Sequence, residues 1–125
     1  MKIPAQYLPV VPYLILNDSQ GFLDFAKQVF SAAEQSINTY DNGNIQHGEI
    51  RIYDAVIMFA QATETFSSKP AGMFLYVLDV DKTYDLGLRN NAISLMPPSK
   101  QDYGYTGGFE DPFGNQWWLV QGDAD

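Results

Sequence analysis

His47, Glu49 and Arg51 stand two apart in the stretch HGEIRI, with Ile50 and Ile52 interleaved. On an extended strand, residues two apart share a face, so this stretch presents an imidazole, a carboxylate and a guanidinium side by side and turns its isoleucines the other way. Three chemistries are open to such a triplet. His47 is suited to proton transfer. His47 and Glu49 together offer two ligands to a divalent metal, a sparse set at this spacing. Arg51 suits an anionic substrate. Each reading has a plainer counterpart: His47 as a hydrogen-bonded structural residue, and Glu49 with Arg51 as a mutually neutralising ion pair. His47 is the sole histidine and the chain has no cysteine, which removes disulfides, thiolate metal sites and cysteine nucleophiles. No GxSxG, P-loop, GxGxxG or HExxH occurs.

The elements that must position these residues follow from hydrophobic period and turn chemistry. Val11 to Leu16 reads as a strand, followed by Asp18 and Ser19 as candidate caps of a helix to about Ala33, whose apolar stripe is Phe22, Phe25, Ala26 and Val29. Ser36 to Tyr40 is a second strand, and Ile45 to Ile52 with Ala55 to Ala60 form a hairpin about Tyr53-Asp54. After a polar linker over 61–71, Met73 to Leu78 reads as a strand and Asp79 to Asn90 as a short helix. Ser94 to Leu95, Gly107 to Glu110 and Gln116 to Gln121 supply further strands. YLILND at 13–18 aligns with FLYVLD at 74–79, which makes the chain two copies of one βαβββ unit rather than a solenoid. The expectation is one α+β domain over 1–125, with modules at about 8–60 and 71–121.

Alternation sorts the strand residues into two faces. Leu14, Leu16, Met73, Leu75 and Val77 should meet helices, leaving Tyr13, Phe74 and Tyr76 on the opposite faces with His47, Glu49 and Arg51. Trp117 and Trp118 point oppositely, Trp117 to the helix side and Trp118 to the other. Tyr103 and Tyr105, among Gly104, Gly107 and Gly108, read as loop residues that either overhang a pocket or are simply exposed.

The net charge of −8 repels phosphate backbones and anionic lipid, arguing against nucleic-acid and membrane partners. No run approaches a membrane span and the N-terminus has no signal-peptide core, so a cytoplasmic setting is expected.

The stretch YGYTGGFEDPFGNQWWLVQ at 103–121 combines a DPFGN turn with a two-sided apolar strand. With PYLILND at 12–18, HGEIRIYDAVIMFA at 47–60, LYVLDVD at 75–81 and SLMPP at 94–98, it resembles the vicinal oxygen chelate superfamily, which includes glyoxalase I, bleomycin-resistance proteins and extradiol dioxygenases. Within it, the chain is most similar to the small bacterial branch named for likeness to demethylubiquinone methyltransferases (PhnB-like). The resemblance implies paired βαβββ modules in a cupped mixed sheet around a pocket, often completed as a homodimer. It also implies a divalent metal in the members that do chemistry. The positions matching the family's ligands carry Val11, Gly72 and Trp118, and the strand over 56–60 has no His, Asp or Glu. The expectation is therefore a binding protein without metal or other cofactor, in which Tyr13, Phe74, Tyr76 and Trp118, with Tyr103 and Tyr105 at the rim, hold a flat or cationic small molecule oriented by His47, Glu49 and Arg51. Two alternatives stand beside it: a metal-dependent, glyoxalase-like lyase or dioxygenase using His47 and Glu49, and a dimerisation domain with no physiological ligand.

Overall fold

The computed structural model describes residues 1–125 and divides them into two compact units, Met1–Pro70 and Ala71–Asp125. Each unit is α+β and repeats one plan. The first runs β1 (Tyr13–Leu16), α1 (Ser19–Phe30), β2 (Ala33–Thr39), β3 (Ile45–Ile52) and β4 (Ala55–Gln61). Its sheet has the order β1-β4-β3-β2, with β1 parallel to β4 and the other pairs antiparallel. The second runs β5 (Gly72–Val77), α2 (Val80–Arg89), β6 (Ile93–Gln101), β7 (Gly104–Glu110) and β8 (Gln116–Gln121), in the equivalent order β5-β8-β7-β6.

The same local devices recur in both copies. Asp18 caps α1 by accepting from Gly21 N at 2.9 Å, and Asp79 caps α2 by accepting from Lys82 N at 3.0 Å. A glutamine at the end of the last strand takes a further orphan donor: Gln61 Oε1 accepts from Ser19 N at 3.1 Å, and Gln121 Oε1 accepts from Val80 N at 2.9 Å. Helix α1 stops at Phe30, short of the expected Ala33, because Ser31 turns left-handed at φ 55° and Ala32 N closes back on Ala26 O.

Burial follows the expected alternation in the first unit. Leu14, Leu16, Ile50, Ile52 and Phe59 are buried with the α1 stripe, and the Phe22 and Phe59 rings meet edge-on at 5.1 Å. Phe59 also lies across Gly48, where a Cβ would meet its ring at 2.5 Å. In the second unit the core is Val77, Val80, Phe109, Trp117 and Leu119. Here the DPFGN turn is tied inward. Asp111 accepts from Phe113 N, Asn115 N, Asn115 Nδ2 and Trp117 Nε1, each at 2.9 Å, and Asn115 Oδ1 accepts from Ala71 N at the mouth of β5. Burial raises the Asp111 carboxyl above its ordinary pKa, against the pull of those four donors.

Two strands depart from expectation. β6 runs to Gln101 rather than ending at Leu95, passing straight through Pro97 and Pro98. Proline is tolerated there because β6 is an edge strand: Met96 pairs with Gly108, the register breaks, and pairing resumes at Ser99 with Thr106. β7 correspondingly begins at Gly104, so Tyr105 is a strand residue, not a loop residue.

Candidate functional site

The strand registers define one row of side chains across each sheet, on the face away from the helix. In the first unit Tyr13 stands opposite Met58, Met58 opposite Glu49, and Glu49 opposite Ser36. In the second, Phe74 stands opposite Trp118, Trp118 opposite Gly108, and Gly108 opposite Met96. Position for position, the carboxylate of the first row is replaced by hydrogen in the second, and a tryptophan ring fills the space: a Cβ on Gly108 would meet Trp118 at 2.5 Å.

The first row is the centre of a polar cluster. Glu49 is only 6% exposed and three side chains reach it within hydrogen-bond distance. Tyr7 OH donates to Oε1 at 2.6 Å, Gln35 Nε2 donates to Oε1 at 2.9 Å, and His47 Nε2 lies 2.7 Å from Oε2. Burial pushes the Glu49 carboxyl up, but the hydrogen bonds from Tyr7, Gln35 and His47 outweigh it and leave its pKa below the ordinary value. The carboxylate is thus ionised at neutral pH and can only accept, so Nε2 of His47 carries a proton toward it. The other ring nitrogen, Nδ1, lies 3.5 Å from Tyr13 OH, and the two rings are 5.8 Å apart. The Tyr7 phenol, in turn, is raised above its usual pKa by its bond to Glu49.

Arg51 does not pair with Glu49. Its Nη2 donates to Gln35 Oε1 at 2.7 Å and to the Gln6 carbonyl at 3.1 Å, and Nη1 donates to the Asp54 carbonyl at 3.2 Å. Gln35 therefore links the guanidinium to the carboxylate through its amide, one end accepting and the other donating. It can do so because β2 bulges there, between the pairs Glu34 with Ile50 and Ser36 with Glu49. β6 breaks register at the matching place, between Ser94 and Met96, where Leu95 takes the position of Gln35.

The second row carries rings. Phe74, Tyr76 and Tyr103 are all more than half exposed, with Phe74 edge-on to Tyr76 at 5.4 Å and 6.5 Å from Tyr103. Trp118 is half-buried beside Phe74, whereas Trp117 is buried. Tyr105 is not part of this group: it shares the α2-covered face with Phe109, and its hydroxyl donates to Asp81 Oδ1 at 2.6 Å. That bond raises the Tyr105 phenol above its usual pKa.

The structure thus brings Tyr13, His47, Glu49 and Arg51 onto one face, and Phe74, Tyr76, Tyr103 and Trp118 onto another. Sequence reasoning missed Tyr7 and Gln35. Tyr7 sits in a proline-flanked segment with no period to read, and Gln35 lay just outside the strand expected from Ser36.

The donor set does not fit the divalent metal that the resemblance implies. No three His, Asp or Glu side chains converge anywhere in the chain. The last-strand ligand position holds Trp118 and its counterpart in the first unit, by register, holds Met58. Both oxygens of Glu49 are engaged by hydrogen-bond donors.

No family model matches the chain. A Mycobacterium bovis protein described only as uncharacterized is 25% identical over 122 residues, covering 88% of this chain and 80% of its own. Among solved structures, a PhnB protein of Bacillus cereus superposes with a TM-score of 0.74 at 17% identity over 92% of this chain and 100% of that one. TnmS3, an antibiotic binding protein from Streptomyces sp. CB03234, gives 0.71 at 17% identity over 93% and 98%. A member of the glyoxalase/bleomycin resistance protein/dioxygenase superfamily from Sphaerobacter thermophilus gives 0.68 at 22% identity over 92% and 98%. Two βαβββ units with these strand orders, matched over nearly the whole length of each of these structures, give the chain the fold of the glyoxalase/bleomycin resistance protein/dioxygenase superfamily.

Proposed function

We propose that the chain belongs to the PhnB-like branch of this superfamily and is a metal-free binding protein for a flat organic compound bearing hydrogen-bond donors or positive charge. The observation that carries this reading is the ring cluster of Phe74, Tyr76 and Tyr103, which leaves three large aromatic side chains in water on one sheet face, with Phe74 near both tyrosines. Clustered exposed rings of this kind suit stacking on a planar ligand. The charge of −8 favours a ligand that brings positive charge. The antibiotic-binding role of TnmS3, on the same fold, supports sequestration as the activity. The proposal includes a homodimer, as the resemblance implies, and a cytoplasmic setting.

Titration of the protein with a panel of planar cationic aromatics, followed by calorimetry and tryptophan fluorescence, tests the reading. Binding should weaken about tenfold or more in Phe74→Ala and Trp118→Ala, the loss of a stacking partner being worth ~1–3 kcal/mol. Full affinity in both variants would sink it. The donor set further predicts no stoichiometric uptake of Zn²⁺ or Ni²⁺ by chelator-treated protein.

A second reading rests on the His47–Glu49 contact of 2.7 Å, since a carboxylate that orients an imidazole is the arrangement of an acid-base catalyst. It predicts that His47→Ala abolishes turnover, to be measured on any compound the panel identifies.

A further inference from the structure

The segment Met1–Val10 lies against β3 although it forms no helix or strand and, apart from Tyr7, is exposed. Two contacts hold it to that face: Tyr7 OH on Glu49 Oε1 at 2.6 Å and Arg51 Nη2 on the Gln6 carbonyl at 3.1 Å. Its one internal backbone bond runs from Tyr7 N to Pro4 O at 3.2 Å. Glu49 is otherwise served from within the sheet, by Gln35 on β2 and His47 on β3. One donor of three thus comes from a loosely anchored segment, and that donor is a phenol. A buried carboxylate keeps a full set of donors, so Tyr7 leaves this position only when another donor replaces it.

We propose that Tyr7 is an internal stand-in for the ligand: the Glu49 site takes an aryl hydroxyl, and the segment Met1–Val10 is a strap that occupies the site until such a group displaces it. The proposal rests on the small-molecule reading above and names the head group that reading leaves open. The incoming hydroxyl donates to Glu49 Oε1 in place of Tyr7, its ring lying near Tyr13 and His47. The strap makes the apparent affinity weaker than the intrinsic one by the fraction of molecules in which it is open, so loosening it should tighten binding.

His47 is the sole histidine, so its ring resonances report on this site alone in a proton NMR titration of the full chain. The probe is 4-methylphenol, which copies the tyrosine side chain, with toluene as the control that lacks the hydroxyl. In the unaltered protein 4-methylphenol should move the His47 signals only at high concentration. In Tyr7→Ala saturation should come at a concentration about tenfold lower, with Tyr7→Phe between the two, since it keeps the ring and loses the hydroxyl. Toluene should move none of them. An unchanged far-UV circular dichroism spectrum confirms that the variants are folded. Equal affinity in Tyr7→Ala and the unaltered protein, no response in Tyr7→Ala, or an equal response to toluene would each overturn the proposal. The planar-compound panel reads the Phe74 and Trp118 face independently, so failure here is distinguishable from failure of the binding reading.

Discussion

Glu49 and Gly108 occupy the same place in two copies of one supersecondary unit, and the protein has spent that place in opposite ways. In the first unit a carboxylate is buried on the sheet face and satisfied by three side chains, one of them from outside the unit's helix and strands. In the second unit the carboxylate of consequence is Asp111, which sits in a turn, serves its backbone and holds the indole of Trp117. One acid is available to exchange partners and the other is locked into architecture. A duplicated unit can thus keep its fold while separating recognition from scaffolding, because register and caps are set by residues other than those on the exposed row.

The contrast can be broken most strongly at Asp111. Asp111→Ala strands four donors, three of them buried, and urea unfolding should show a loss of about 4 kcal/mol, since each unsatisfied buried group costs ~1–3 kcal/mol and neighbouring losses do not fully add. Planting the first unit's residue in the second should come next. Gly108→Glu pushes a side chain into the Trp118 ring with none of the partners that Tyr7, Gln35 and His47 supply to Glu49, a cost of about 3 kcal/mol. Glu49→Gln keeps the shape and loses the charge, so about 1–2 kcal/mol is expected. If Gly108→Glu were as mild as Glu49→Gln, the two faces would not be specialised.

The smallest effect is in the pH dependence, and the two acids should show opposite signs. The Glu49 carboxyl is depressed in the folded state, so its stabilising contribution is present above the ordinary carboxylate pKa and is lost as pH falls through the folded value. The Asp111 carboxyl is raised, so its contribution is largest in acid and is lost as pH rises through its folded value. The stability gap between the unaltered protein and Glu49→Gln should therefore close on acidification, while the gap to Asp111→Asn should widen. Urea titrations from neutral pH to pH ~3 would measure both, and gaps that move together would refute the assignment of the two carboxylates.

Much of this was legible in the sequence. Helical and strand periods located both helices and the central strands, and alternation correctly separated Trp117 from Trp118 and put His47, Glu49 and Arg51 on one side. What stayed hidden had physical causes. Pro97 and Pro98 look like strand breakers, but an edge strand needs no donor at those positions. The bulge at Gln35 moves a side chain out of simple alternation and under Arg51, which is why the apparent Glu49–Arg51 ion pair does not exist. Tyr7 reaches Glu49 across 42 residues of chain, and no local pattern records a contact of that kind.

Gln61 and Gln121 hold the starts of α1 and α2 from the ends of β4 and β8, and β1 and β5 pair in parallel with those same last strands. Considered in time rather than space, each unit can close only after its final strand has been made. During synthesis α1 waits for Gln61 to emerge, and the first unit is then complete while the second is still being translated. The slow step in each half is the same long-range closure, repeated once, so the nascent chain should gain its protection from proteases in two jumps and not as a gradual rise.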